Sequence, residues 1–317
     1  MKLRFNFVKI KGPVGLTEPS GVTFISDDRY LAVQDEIKKS APFYRLTLVK
    51  DRLVAKKLKT ALPTIVDDLE GIFYDAPFVY AITSHSSSNR NRRRLIRFRL
   101  PESDNARPIL EEASGAARLK ALVRSQLDKK DWQEREGKFN IEGFALHNDG
   151  TEMFIGLRSP LINGKALVVM TRGIRSAFSP DNHSFTVSKP IKLDLKGGGI
   201  RAMAFIRDLG GYLLVSGRGD KTEPRKFRCK KSGGRDHFFL LWFWDGKSKP
   251  RKLACFPKYK SEKKKRKIQP EGISPALTPD RKNTILFVSD DGGEIKKNGR
   301  YWLLTRKDYR TLKDKIG

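Results

Sequence analysis

Three Glu-Gly pairs recur along the chain: Glu70-Gly71, Glu142-Gly143 and Glu271-Gly272. Each opens a short apolar stretch, and each is followed by a second apolar run that ends in polar residues. Those endings are His85, Arg158 and Asp290-Asp291. Two degenerate copies keep the layout, with Ser20 and later Asp35 in one, and Arg201 and later Gly217 in the other. Brought around a common axis, three glutamates repel one another unless something offsets them. The candidates are a divalent cation, the guanidinium groups of Arg158 and Arg201, or retained protons. Glu70, Glu142, Glu271, Asp290 and Asp291 form an oxygen-rich donor set suited to Mg²⁺, Mn²⁺ or Ca²⁺, while His85 leaves room for a transition metal. Arginines beside a carboxylate-bound cation make a clamp for a phosphoryl group. The catalytic set on this reading is His85 as acid or base, with Glu142, Arg158 and Arg201. The alternative is structural: a Glu at the head of a strand accepts hydrogen bonds from the next unit and closes a ring.

The elements that must position these residues follow from the repeat. Five copies of one layout point to a radial array. The first copy carries strand signals at 21–26, 30–34, 44–50 and 53–58, with turns at Asp27-Asp28 and Lys50-Asp51. Four short antiparallel strands make a propeller blade, so the expectation is an all-β, five-bladed β-propeller forming a single domain over 1–317. The fifth unit is one strand short, and the N-terminal strand near 3–10 completes it, removing the ring's open edges. Residues 101–140 break the pattern. Leu119, Leu122, Val123 and Leu127 lie at helical spacing there, predicting a helical insertion; a sixth blade fits only if that segment is strand. Inner strands begin, and second strands end, on one face of a propeller. That face gathers Ser20, Glu70, Glu142, Arg201 and Glu271 with Asp35, His85, Arg158, Gly217 and Asp290.

Charge sets the class of partner. Lys and Arg total 65 against 36 Asp and Glu, a formal net charge of +29, which favours a polyanion. Much of the surplus falls in loops expected at the same face. Arg90, Arg92, Arg93 and Arg94 lie in 84–94; Arg225, Lys226, Arg228, Lys230 and Lys231 lie in 217–236; Lys263, Lys264, Lys265, Arg266 and Lys267 lie in 257–270. Such loops can guide an RNA or DNA backbone, or a polyphosphate, toward the axis; the bland alternative is a set of solvated loops. Ser84 and His85 are adjacent on a strand and so point to opposite faces, which argues against a nucleophile pair. The two cysteines, Cys229 and Cys255, form no C-x-x-C pair, so a disulfide scaffold or zinc site is not expected. The N-terminal stretch lacks a signal-peptide core, and no apolar run reaches the ~18 residues of a membrane span. A cytoplasmic setting without membrane contact is the default.

The motifs LEGIFYD…YAITSHS, NIEGFAL…FIGLRSPLINGKALVV, GGIRAMAF…YLLVSG and PEGIS…LFVSDDG resemble an uncharacterised bacterial family of propeller-like domains of unknown function. Its pattern is similar to that of the esterase-like phytase propellers. The resemblance runs from about Glu18 to Tyr301. It implies a propeller fold and, by analogy with phytases, a metal side made of Glu70, Glu142, Glu271, Asp290 and Asp291. The basic loops depart from an acidic phytase and point from phytate toward a larger polyanion. The expected function is a divalent-metal-dependent phosphoester hydrolase acting on nucleic acid or nucleotides. The alternatives are a non-catalytic RNA- or DNA-binding propeller, serving as a subunit of a larger complex, and a platform for an acidic protein.

Overall fold

The computed structural model describes residues 3, 5–12, 15–35, 43–59, 66–101, 108–133, 139–147, 150–179, 185–219, 229–230, 236–237, 239–256, 258–260, 265–290 and 299–317. Its strands assemble into five antiparallel sheets, one per repeat, in a closed ring. Blade I is built from β2 (Pro19–Ser26), β3 (Arg29–Gln34), β4 (Phe43–Val49) and β5 (Arg52–Lys57), and blade II from β6 (Leu69–Asp75), β7 (Phe78–Thr83), β8 (Leu95–Arg99) and β9 (Glu111–Glu112). Blade III contains β10 (Asn140–Leu146), β11 (Met153–Ser159) and β12 (Ala166–Arg172). Its outer position is split between β13 (Thr186–Val187) and β14 (Ile191–Leu193). Blade IV contains β15 (Gly198–Ile206), β16 (Gly211–Arg218) and, after a small hairpin of β17 (Cys229–Lys230) and β18 (Asp236–His237), β19 (Leu240–Trp244) and β20 (Arg251–Cys255). A second hairpin, β21 (Lys258–Lys260) with β22 (Lys265–Lys267), leads into blade V: β23 (Gln269–Leu277), β24 (Asn283–Asp290) and β25 (Arg300–Leu303).

The fourth strand of blade V is β1 (Val8–Lys9), which pairs with β25 through Val8↔Tyr301 and Lys9↔Arg300. The two ends of the chain thus meet in one blade, as the short fifth repeat implied.

Near-continuous buried runs along the inner two strands place packed residues on both faces of the sheets, because each blade packs between two others. Aromatic pairs mark the seams: Phe43 with Phe98 (4.9 Å) between blades I and II, Phe73 with Phe144 (4.8 Å) between II and III, and Phe154 with Trp244 (5.5 Å) between III and IV. Phe256, just beyond β20, meets Phe287 (5.7 Å) and Trp302 (6.5 Å) of blade V. Tyr212, Trp242, Trp244 and Trp302 are all buried, as their alternation within strands suggested.

The insertion between β8 and β10 is helical where the spacing predicted it. A 3₁₀ turn, Ala116–Arg118, runs into α1 (Leu119–Ser125), and α2 (Lys129–Gln133) follows. Leu119 and Val123 are buried against blades II and III. The same region also holds β9, the outer strand of blade II, which was not anticipated. Neither was α3 (Arg306–Ile316), whose first turn is fixed by Thr305: its Oγ1 accepts from the Asp308 N–H at 3.1 Å. Tyr309 and Leu312 then pack on the seam of blades IV and V. Cys255 is disulfide-bonded, a bond its spacing did not suggest.

Candidate axial site

One backbone device places all five axial residues. In each inner strand the pairing with the second strand skips one residue: Ser20 between Pro19 and Gly21, Glu70 between Leu69 and Gly71, Glu142 between Ile141 and Gly143, Arg201 between Ile200 and Ala202, and Glu271 between Pro270 and Gly272. Each is the extra residue of a β-bulge, which bends the strand and re-aims that side chain. The glycine that follows four of them, with Ala202 after Arg201, has a packing reason. A Cβ on Gly71 would collide with the Cβ of Phe144 in the next blade, and one on Gly272 would sit 3.0 Å from the Val22 nitrogen. Glu-Gly is therefore one local instruction: bulge the strand, then let the neighbouring inner strand approach.

The five side chains do not behave alike. Ser20 donates to the Leu69 carbonyl of blade II, closing the seam. Arg201 bridges two glutamates, donating through Nη1 to Glu142 at 3.0 Å and through Nη2 to Glu271, with its Nε 2.9 Å from the second Glu142 oxygen. Arg158 adds a 2.7 Å ion pair to Glu142 and donates to the Gly219 carbonyl at 2.8 Å. Glu142 and Glu271 are thus neutralised in place, which ties blades III, IV and V together as the structural alternative describes. Arg158 is the more open of the two guanidinium groups, its side chain 30% exposed against 8% for Arg201.

Glu70 lies on the other side of the axis among acids. One carboxylate oxygen each from Asp35, Asp68 and Glu70 lies within 4.8 Å of the others. Burial, together with a hydrogen bond to Asp68 and its charge, pushes the Asp35 carboxyl up to about 9, so Asp35 keeps its proton at neutral pH. Burial and the charges of Glu142, Asp35 and Asp68 also push Glu70 well above the usual carboxylate range, with Arg201 opposing.

Asp68 is the centre of this cluster. Its backbone takes a left-handed conformation (φ 66°), its N–H donates to the Asp35 carbonyl at 3.1 Å, and its Oδ2 accepts from the Ser84 and Ser86 hydroxyls, the latter at 3.0 Å. Arg92 approaches Asp68 at 3.3 Å and pairs with Asp67 at 2.8 Å. The 84–94 loop, read from sequence as a basic guide, is therefore also the wall of the acidic cluster.

Sequence reasoning left Asp68 out and used Asp35 only as a column member. The available signal was the position two residues before each axial residue, which reads Glu18, Asp68, Asn140, Gly199 and Gln269. Asn140 and Gln269 also hold axial carboxylates: the Asn140 amide donates to Glu142 at 3.3 Å, and that of Gln269 to Asp290 at 3.0 Å.

The remaining predicted residues divide by location. His85 is buried, with φ 56°, and its ring nitrogens lie near the Arg94 backbone without closing a hydrogen bond of good geometry. Burial pushes its imidazole down to about 3, so it is neutral at physiological pH. Arg94 turns inward, 3% exposed, to pair with Glu112. Arg93 donates to the Ser87 carbonyl at 2.8 Å, and Arg90 is exposed. Lys230, Lys265, Arg266 and Lys267 lie on the small hairpins at backbone level. Asp291, Arg225, Lys226, Arg228, Lys231, Lys263 and Lys264 lie outside the described residues.

Just past the glycines the axis narrows. Val22, Ile72, Phe144, Met203 and Ile273, one from each inner strand, form an apolar collar with a gap of about 10 Å³, room for about one water. The polar site is a blind cup rather than a channel.

The fold and the cup define a five-bladed β-propeller with an asymmetric carboxylate–guanidinium cluster at one mouth of its axis. A family model described as "Protein of unknown function (DUF3616)" matches residues 99–217, from the end of β8 into β16. No curated protein sequence matches the chain. Among solved structures, the chain is similar to a putative oxidoreductase (glucose dehydrogenase) from Thermus thermophilus, at 15% identity and TM-score 0.43, covering 95% of this chain and 100% of that one. It is also similar to an exo-β-1,3-galactanase from Clostridium thermocellum, at 11% identity and TM-score 0.47, covering 96% and 64%. A GH43 β-1,3-galactosidase follows at 10% identity and TM-score 0.48, covering 93% of each chain. No chemistry is carried over from any of them.

Proposed function

We propose that the cup binds a divalent cation through Asp35, Asp68 and Glu70 and that the protein hydrolyses phosphoesters of a polyanionic substrate, nucleic acid or nucleotide. The carrying observation is the convergence of three carboxyl groups within 4.8 Å, two of which hold protons far above their ordinary range. Such a cluster wants a compensating positive charge, and its all-oxygen donor set suits Mg²⁺, Mn²⁺ or Ca²⁺. When bound, the ion would polarise a phosphoryl oxygen and lower the pKa of a water.

The chain's own residues do the rest. Ser84 and Ser86 fix the orientation of Asp68. Arg201 immobilises Glu142 and Glu271, which leaves the partly exposed Arg158 to face an incoming oxyanion. The protons held by Asp35 and Glu70 must leave when a cation enters, so cation binding is linked to pH. Neutral His85 lines the same loop but is too weak a base, at about 3, to hold a proton during turnover near pH 7.

The polyanion preference rests on the net charge of +29 and on the arginine-bearing 84–94 loop that walls the acids. A second reading, binding without turnover, is favoured by the β21–β22 ribbon, where the register sets Lys258 opposite Lys267 and Lys260 opposite Lys265. Like-charged residues directly opposite one another are destabilising unless an anion lies against them. A cytoplasmic setting is part of the proposal; among described residues no helix is long and apolar enough to cross a membrane.

The test is turnover of bis-p-nitrophenyl phosphate and of labelled RNA and DNA with Mg²⁺, Mn²⁺, Ca²⁺ or EDTA. Metal-dependent hydrolysis lost in Asp68→Asn, with folding intact, is the expected result. Salt-sensitive binding without turnover would replace this reading with the second one.

A further inference from the structure

On the far side of the collar the axis opens again. The second halves of all five inner strands surround a cavity of about 480 Å³, open at the face opposite the carboxylates. Its floor is the apolar collar, and its walls carry Phe24, Tyr74, Leu146 and Phe205, each only half-buried. Large apolar side chains gathered around a concavity of this size are the usual make-up of a small-molecule site.

The rim is polar and charge-asymmetric. Asp75 is paired with Arg175 at 2.5 Å. Arg207 is exposed and lines the cavity, and no ion pair or side-chain hydrogen bond joins it to a described residue. Among the described residues the rim therefore offers one unmatched guanidinium above an apolar bowl.

We propose that this funnel is a second ligand site, for an organic monoanion with a flat apolar body, of the aryl carboxylate or aryl sulfonate class. The body would lie between Phe24, Tyr74 and Phe205, and the anionic group would reach Arg207, whose planar fork suits a carboxylate or sulfonate. The collar separates this site from the carboxylate cup, so the inference does not depend on the proposed hydrolase activity.

The experiment titrates the full chain, in EDTA, with 2-naphthoate and with neutral 2-naphthalenemethanol, by calorimetry. Saturable one-to-one binding is expected, with the anion favoured by about tenfold, the equivalent of about 1.4 kcal/mol. Arg207→Gln should erase that preference while the neutral compound still binds. Leu146→Trp, which narrows the bowl from its half-buried wall, should weaken both ligands. Absence of saturable binding, equal affinity for the two compounds, or affinities untouched by both substitutions would overturn the assignment.

Discussion

At the scale of residues, the axis shows identical positions diverging in chemistry. Glu70, Glu142 and Glu271 occupy the same bulge in their strands, yet two are neutralised by Arg201 and the third joins Asp35 and Asp68. Removing Arg201 should therefore be costly for the fold. Arg201→Met leaves Glu142 and Glu271 buried without their shared cation, and a loss of about 3–5 kcal/mol in denaturant unfolding is expected; a loss under 1 kcal/mol would deny the bridge its structural role. The titrations of Asp35 and His85 make a second prediction. Between about 4 and 9 the folded protein keeps a proton on Asp35 that the unfolded chain has released, so this group lowers stability as pH rises. Between about 3 and 6.5 the unfolded chain holds a proton that His85 refuses in the fold, so this group raises stability as pH rises. The two oppose one another from about 4 to 6.5; above that Asp35 acts together with Glu70, whose carboxyl is also held above its ordinary range. In EDTA, stability should decline above pH 6.5 by at most about 1.4 kcal/mol per pH unit for each of the two carboxyls. Thermal melts of Asp35→Asn should show a shallower decline above pH 6.5 than those of the parent chain.

At the scale of elements, the recurring Glu-Gly motif is legible because one local geometry requires both residues. The bulge aims the first, and the close inner strands exclude a side chain from the second. That is why the sequence alone located four of the five axial residues on their strands and the fifth, Ser20, at the head of its own. Gly71→Ala should cost about 1–3 kcal/mol through overpacking against Phe144, while Gly164→Ala, where a Cβ meets open space and only the positive φ of 72° is strained, should cost less. Unfolding midpoints of the two variants decide the point. The acidic cluster was less legible. Asp35 follows one blade's second strand, Asp68 precedes the next blade's inner strand, and only the seam between blades brings them together. No periodicity within a strand encodes that contact. The same holds for β9, whose two-residue pairing is too short to carry an alternating pattern. The C-terminal helix did leave a signal, Thr305 three residues before Asp308.

At the scale of the whole molecule, the ring explains how one chain presents two unlike mouths. Inner strands begin at a charged cup and end at an apolar funnel, with the collar of Val22, Ile72, Phe144, Met203 and Ile273 between them. Closure depends on β1, which covers the edge of β25. Deleting residues 1–9 should expose that edge and yield an aggregating or edge-paired species by size-exclusion chromatography; a stable monomer of unchanged cooperativity would show that α3 and the seams suffice.

The central claim, that Asp35, Asp68 and Glu70 take a divalent cation, is tested most directly by calorimetric titration with Mn²⁺ at pH 7 and pH 9 in buffers of different ionisation enthalpy. The account predicts one ion per chain, release of about one to two protons at pH 7 and fewer at pH 9, tighter binding at the higher pH, and loss of binding in Asp68→Asn. Absence of binding at both pH values, or binding that survives Asp68→Asn with no proton released, would contradict it.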